Sequence, residues 1–132
     1  MSFLAKLNLD EEEFNVLDCE FEASRGSDPN GQPNGIIRMG AIKVLLEYDP
    51  KVHFFRWLTT KTMVKNGELT FFKRNNISSL EKVEFKNAHC LYIKKKFNSE
   101  DNRPLRIALS LSAEEITVRG VTHANDWTGS KE

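Results

Sequence analysis

Phe3, Ala5, Leu7 and Leu9 alternate with Leu4, Lys6 and Asn8, a period-two pattern that predicts a first strand. Asp10-Glu11-Glu12 is a polar turn. A second strand follows over about 13–25, with Leu17, Cys19, Phe21 and Ala23 on one face and Asp18, Glu20 and Glu22 on the other. A third runs over 36–48, where Ile36, Ile42, Val44, Leu46 and Tyr48 share a face that Arg38 and Gly40 interrupt. A glycine in mid-strand marks a bend or a close backbone approach. Past residue 68, Leu69, Phe71 and Phe72 suit a strand buried on more than one side.

The pattern then lengthens. Between Leu80 and Phe97, Val83 and Phe85 hold one parity while Ala88, Cys90 and Tyr92 hold the other, so a bulge is expected near Lys86-Asn87. Leu105, Ile107, Leu109, Leu111 and Ala113 alternate cleanly until Glu114-Glu115, where the parity passes to Ile116 and Val118 and a second bulge is expected. Two long, bent strands let a sheet curl into a barrel or pass from one sheet to another. Residues 121–127 suit a short last strand and 128–132 a loose tail.

One stretch breaks the alternation. From Asp49 the chain reads as a helix over about 50–64. Asp49 suits the N-cap and Pro50 the first helical position. Val52, Phe55, Leu58 and Met63 recur at helical spacing, and Phe54 and Trp57 widen the apolar arc. His53, Arg56 and Thr60 form the polar stripe, and Asn66-Gly67 is the expected stop. The other break is the run 26–35, GSDPNGQPNG, which predicts an extended loop with no apolar anchor of its own. The expected fold is mainly β: a closed or nearly closed β-barrel of two packed antiparallel sheets with one α-helix, spanning 1–132 as a single domain.

Composition narrows the functions. Lys plus Arg and Asp plus Glu number 19 each, which removes the chain-wide basic excess that nucleic-acid binding needs. Cys19 and Cys90 stand far apart with no CxxC, and are expected to be reduced. His89 and Cys90, adjacent on a strand, point to opposite faces and cannot share a metal. Asp18, Glu20 and Glu22 stand roughly 6.5–7 Å apart along one strand face, too far to chelate one ion unaided. The glycines of 26–35 lack a GK[ST] and a following helix, so they are no phosphate loop. No catalytic, cofactor-binding or metal-ligating set assembles, and a non-enzymatic domain is expected. The N-terminus MSFLAKLNLDEEE has no signal-peptide pattern and no stretch approaches the ~20 apolar residues of a membrane span. The chain is therefore expected to be made in the cytoplasm, without membrane insertion, and to leave the cell, if it does, by a route that reads no N-terminal signal.

The start MSFLAKLNLDEEEFNVLDCEFEASR, the middle WLTTKTMVKNGELTFFKRNNISSLEKVEFKNAHC, and LRIALSLSAEEITV with a closing THANDW together resemble the tube protein of bacterial type VI secretion systems. This is the haemolysin-coregulated protein family, Hcp or TssD, in its Bacteroidetes-like branch. The likeness covers nearly the whole chain and rests on the order of many segments, with 26–35 the least alike. It implies a two-sheet barrel with a helix on one side, and a homohexamer whose rings stack into a hollow tube. It also implies a contractile sheath around the tube, a VgrG-type spike at its tip, effector proteins in its lumen, secretion through the apparatus, and no cofactor or catalysis.

On that reading Ser27, Asp28, Pro29, Asn30, Gly31, Gln32, Pro33 and Asn34 are the expected ring-stacking loop, mobile until rings meet. A ring needs one patch to meet a different patch on its neighbour. Phe54 and Trp57, and the opposed clusters Asp18/Glu20/Glu22 and Lys94/Lys95/Lys96, are the expected protomer interface. Two other readings stay open: a phage-like tail-tube protein outside secretion, and a monomeric small-ligand-binding β-barrel. Large inward residues such as Phe21, Phe71, Phe85 and Leu109 speak for a filled interior.

Overall fold

The computed structural model describes residues 3–47, 54–73, 79–97 and 105–125. Its strands are β1 (Phe3–Leu9), β2 (Glu12–Ser27), β3 (Pro33–Glu47), β4 (Lys65–Lys73), β5 (Ser79–Phe97), β6 (Leu105–Val118) and β7 (Val121–Ala124), with one helix, α1 (Phe54–Thr59). The strands pair antiparallel in the order β3-β2-β1-β4-β5-β6-β7, and β3 also pairs with β6. Hydrogen bonding thus runs from β3 through β2, β1, β4, β5 and β6 back to β3, closing a ring. On the edge of β6 away from β5, β3 pairs with Arg106–Ser112 and β7 with Glu115–Val118.

Alternation decides what fills the ring. Leu7, Leu9, Ile42, Val44, Leu46, Leu69, Ile107, Leu109, Leu111 and Ile116 are all buried. Phe21 and Phe71 pack against this core. Burying each such side chain stabilises the fold by about 1.5–3 kcal/mol before its ordering entropy is subtracted.

The expected kinks lie where the two parities change, and they lie opposite each other. Phe85 pairs with Ile116 and Ala88 with Ala113, and all four are buried. Inward positions are therefore three residues apart on both strands, so β5 and β6 bend together without slipping register. The slip falls instead between β4 and β5, around Asn66. Asn87, at φ 54°, sits in the bend. Its backbone N–H donates to Asn66 Oδ1 at 2.9 Å and its Nδ2 to Glu114 Oε1 at 2.9 Å. Asn66 N–H in turn donates to Asp10 Oδ1 at 3.1 Å. A polar seam thus crosses the strands where the sheet turns, bonding groups that the bend removes from the ladder.

The helix is shorter than its apolar spacing predicts. It covers Phe54–Thr59; Thr60–Val64 is non-helical, and Lys65, Asn66 and Gly67 belong to β4. Gly67 is no helix stop: it pairs with Leu9 and Phe85, and a Cβ there would collide with the Asn8 carbonyl and the Phe85 ring. Strand pairing on both sides outweighs the helical tendency of this stretch. Residues 48–53, which include the expected cap Asp49-Pro50, Val52 and the polar-stripe residue His53, lie outside the described residues. The buried face is centred on Phe54 and Trp57, while Phe55 is 60% exposed. Phe54 stacks tilted on Phe14 with ring centroids 5.2 Å apart.

The extended loop is also corrected. β2 runs to Ser27 and β3 begins at Pro33, leaving a turn of Asp28–Gln32. Asp28 Oδ1 accepts from the N–H groups of Asn30 and Gln32, both at 2.9 Å, and Asp28 O accepts from Gly31 N–H. An aspartate that bonds its own following amides builds a closed turn from residues that composition alone reads as loose. Most of 26–35 is therefore the ordered end of a hairpin. The last strand stops at Ala124; Trp127 and the tail 128–132 lie outside the described residues.

Candidate assembly surface

β2, β3, β6 and β5 lie side by side in that order, each antiparallel to the next. Their registers line up residues across the layer. Asp18 pairs with Leu45, Leu45 with Ala108, and Ala108 with Lys94. The next rung is Glu20, Lys43, Ser110 and Tyr92, and on the other side Glu47 pairs with Arg106 and Arg106 with Lys96. The residues between these rungs, Val44, Leu46, Ile107 and Leu109, point into the core. The outer face is therefore acidic along β2, mixed along β3 and β6, and basic along β5. An open hollow of about 830 Å³ lies over it, lined by Asp18, Glu20, Lys43, Tyr92 and Ser110 among others.

Both flanks of this layer lack a strand neighbour among the described residues. β1 pairs with β2 only over Glu12–Val16, so β2 has no strand on that side from Leu17 onward. β4 pairs with β5 only as far as Ala88. β5 carries a register shift at Leu91, which with Tyr92 and Phe97 is among the most exposed apolar side chains. Beyond Ala41, where the pairing of β3 with β6 ends, the strands of the hairpin pair, among the described residues, only with each other. That arm extends by roughly 20 Å at about 3.3 Å per residue. Ile37, 48% exposed, supplies an apolar side chain on the arm just beyond the run 26–35.

The predicted interface residues do not behave as one set. Lys94 and Lys96 share the outer face, whereas Lys95 is opposite Ile107 on the other face, and all three are exposed. Asp18 and Glu20 are exposed on the outer face, and Glu22 is exposed at a register shift of β2. Phe54 and Trp57 are 2% and 1% exposed, buried in the chain's own core. They have almost no surface to offer a neighbour, and the helix presents Phe55 instead. Ser27 and Asp28–Asn34 form the arm tip, with Asp28 half-buried and the rest exposed.

Gly40, Asn66, Asn87 and Asn125 organise the bends. The mid-strand position signals Gly40 and a parity change signals Asn87; Asn66 carries a signal only as part of the expected helix stop, and Asn125, in a polar segment, carries no comparable one. Gly40 is buried at φ 111°. A Cβ there would lie 2.6 Å from the Ala113 carbonyl oxygen and 2.9 Å from Asn125 Nδ2, so only glycine fits.

The reactive groups are scattered. Burial, with Asp18 adding, pushes the Cys19 thiol up to about 11. Burial also raises that of Cys90, which the bond of its Sγ to the Tyr92 carbonyl at 3.7 Å partly offsets. His89 is opposite Ser112 and Cys90 opposite Leu111, on opposite faces. Among the described residues no three His, Cys, Asp or Glu side chains gather where they could hold a metal, and no helix is long and apolar enough to cross a membrane.

Residues 1–128 match the family model described as haemolysin-coregulated protein Hcp (TssD). Among solved structures, Hcp1 from Flavobacterium johnsoniae is 25% identical, with 92% of this chain and 99% of that one covered and a TM-score of 0.84. Hcp1 from E. coli EAEC 042 is 15% identical over 96% of this chain and 100% of that one, with a TM-score of 0.74. The sheath-tube complex of the extracellular contractile injection system PVC contains a chain 16% identical, with 91% and 88% covered and a TM-score of 0.56. No curated protein matches the sequence.

Proposed function

The chain belongs to the Hcp (TssD) family, whose members are structural tube proteins and not enzymes, and on that premise we propose that it is the ring subunit of a type VI secretion tube. Six copies form a ring, rings stack into the inner tube, and a contractile sheath expels that tube behind a VgrG-type spike. Effector proteins ride in the lumen. The subunit is made in the cytoplasm and leaves through the apparatus.

The observation that carries this reading is the four-stranded layer whose two flanks have no strand neighbour among the described residues. Four is an even number of antiparallel strands, so β2 and β5 run in opposite directions. Copies placed edge to edge around an axis then keep antiparallel pairing at every junction. The pairing is heterologous, β5 of one copy against β2 of the next, and such contacts close into rings when the rotation allows. An exposed strand edge is a template for backbone hydrogen bonds. The flanks also differ in sign, with Lys94 and Lys96 on one and Asp18 and Glu20 on the other. Unlike charges steer this junction, and like charges oppose β2–β2 or β5–β5 pairing. Phe54 and Trp57 have no part in it. The arm, with Ser27–Asn34 at its tip, leaves the layer at one end and is the element that reaches the next ring.

Size-exclusion chromatography with light scattering tests the ring, and micrographs should show particles with a central hole. A folded protein that stays monomeric at tens of micromolar would refute the reading and leave the small-ligand barrel in its place.

A further inference from the structure

We propose that Asn125 is the positioning residue that fixes the direction in which the arm leaves the barrel. β3 changes neighbours at Gly40. From Ala41 onward it lies between β2 and β6, whereas before Met39 its only strand neighbour among the described residues is β2. β7 takes the vacated edge of β6, and Asn125 follows directly after β7. Its backbone N–H donates to the Glu114 carbonyl at 2.7 Å, anchoring it to β6. Its Nδ2 then donates twice, to the Ala113 carbonyl at 2.9 Å and to the Met39 carbonyl at 2.8 Å. One carboxamide thus ties the last residue of the arm before the bend to the bend of β6.

The geometry permits one orientation of that carboxamide. Both carbonyls need a donor, so the nitrogen faces them and Oδ1 faces His123 Nε2 at 3.2 Å. His123 must therefore carry its proton on Nε2 and donate, in the neutral ring and the cation alike. Gly40 completes the device, because any side chain there would displace both the Ala113 carbonyl and Asn125 Nδ2. The hollow of about 450 Å³ at the arm root, lined by Glu22, Ser24, Arg38, Ser112 and Asn125 among others, leaves room for the arm to swing once the tie is cut. A two-stranded ribbon with no third strand beside it among the described residues has little else to hold its angle. The consequence for tube growth rests on the proposed role of the arm; the tie itself does not.

Asn125→Asp keeps the shape and removes both donors. Hydrogen exchange of the arm amides, Ala23–Arg25 and Ile37–Met39, should become faster by about tenfold or more, as the loss of two ordinary hydrogen bonds implies. The control amides are those of Val44 and Leu46, which pair with Leu109 and Ile107 in the β3–β6 ladder and should be unchanged. Rings should persist and tubes should shorten. Unchanged arm exchange in folded Asn125→Asp overturns the proposal. If the arm loosens and tubes still grow to full length, the tie stands and the stacking role of the arm falls. Should the variant not fold, the wild-type protein decides. Its Asn125 carboxamide protons should exchange far more slowly than those of Asn30 at the exposed tip, and equal rates overturn the proposal.

Discussion

Trp57 donates its indole Nε1–H to the Ala88 carbonyl at 3.0 Å, and both residues are buried. This bond joins the helix to β5 beside the bend at Asn87. Trp57→Phe keeps most of the apolar contact but leaves a buried carbonyl without its donor, a loss of about 1–3 kcal/mol. Urea denaturation should show a lower midpoint with an unchanged slope.

Gly40→Ala meets two obstacles at once, a left-handed φ and the Ala113 carbonyl. A loss of about 2–4 kcal/mol is expected, since neither can relax without moving β6. Thermal unfolding of this variant beside wild type measures it; a melting point within a degree of wild type would contradict the geometry.

Both thiols should be slow to react with a disulfide reagent at neutral pH in the folded protein and fast after denaturation. Burial disfavours the thiolate in each, and the thiolate is the reactive form. For Cys19 the sign is definite: the folded value is raised, so its contribution to stability is complete below the ordinary 9.0. It falls as pH rises from there through about 11. Unfolding curves between pH 8 and pH 11 should show that decline weaken in Cys19→Ala.

Reversing charge on one flank, Lys94→Glu with Lys96→Glu, should shift the ring toward monomer by tenfold or more at low salt, on the order of 1–2 kcal/mol per junction. Asp18→Lys with Glu20→Lys in the same chain should restore it. A quadruple variant that remains monomeric would show that the flanks do not meet.

Replacing Ser27–Asn34 by an Asn-Gly turn should leave folding and rings intact, because among the described residues the arm pairs only with itself beyond Gly40. Tube length in micrographs should fall sharply. The closed turn around Asp28 adds a second expectation: the tip amides of Asn30 and Gln32 should already be protected in single rings.

Local pattern determined much of this molecule. A strand shows its buried face every second residue, so alternation marked β1, β3 and β6, and the parity changes at Lys86-Asn87 and Glu114-Glu115 marked the bends. Tertiary structure decided the rest, because the rest depends on which strands end where. Residues 65–67 follow β4 pairing rather than helical spacing, and Phe54 and Trp57 are buried while Phe55 is not, since the core lies on one side only. Among the described residues the flanks of β2 and β5 lack a strand neighbour because β1 pairs with β2 only from Ala5 and β4 with β5 only from Lys65, which no periodicity records. The bond of Asn125 to Met39 spans 86 positions of sequence, and only the closed ring of strands brings the two together.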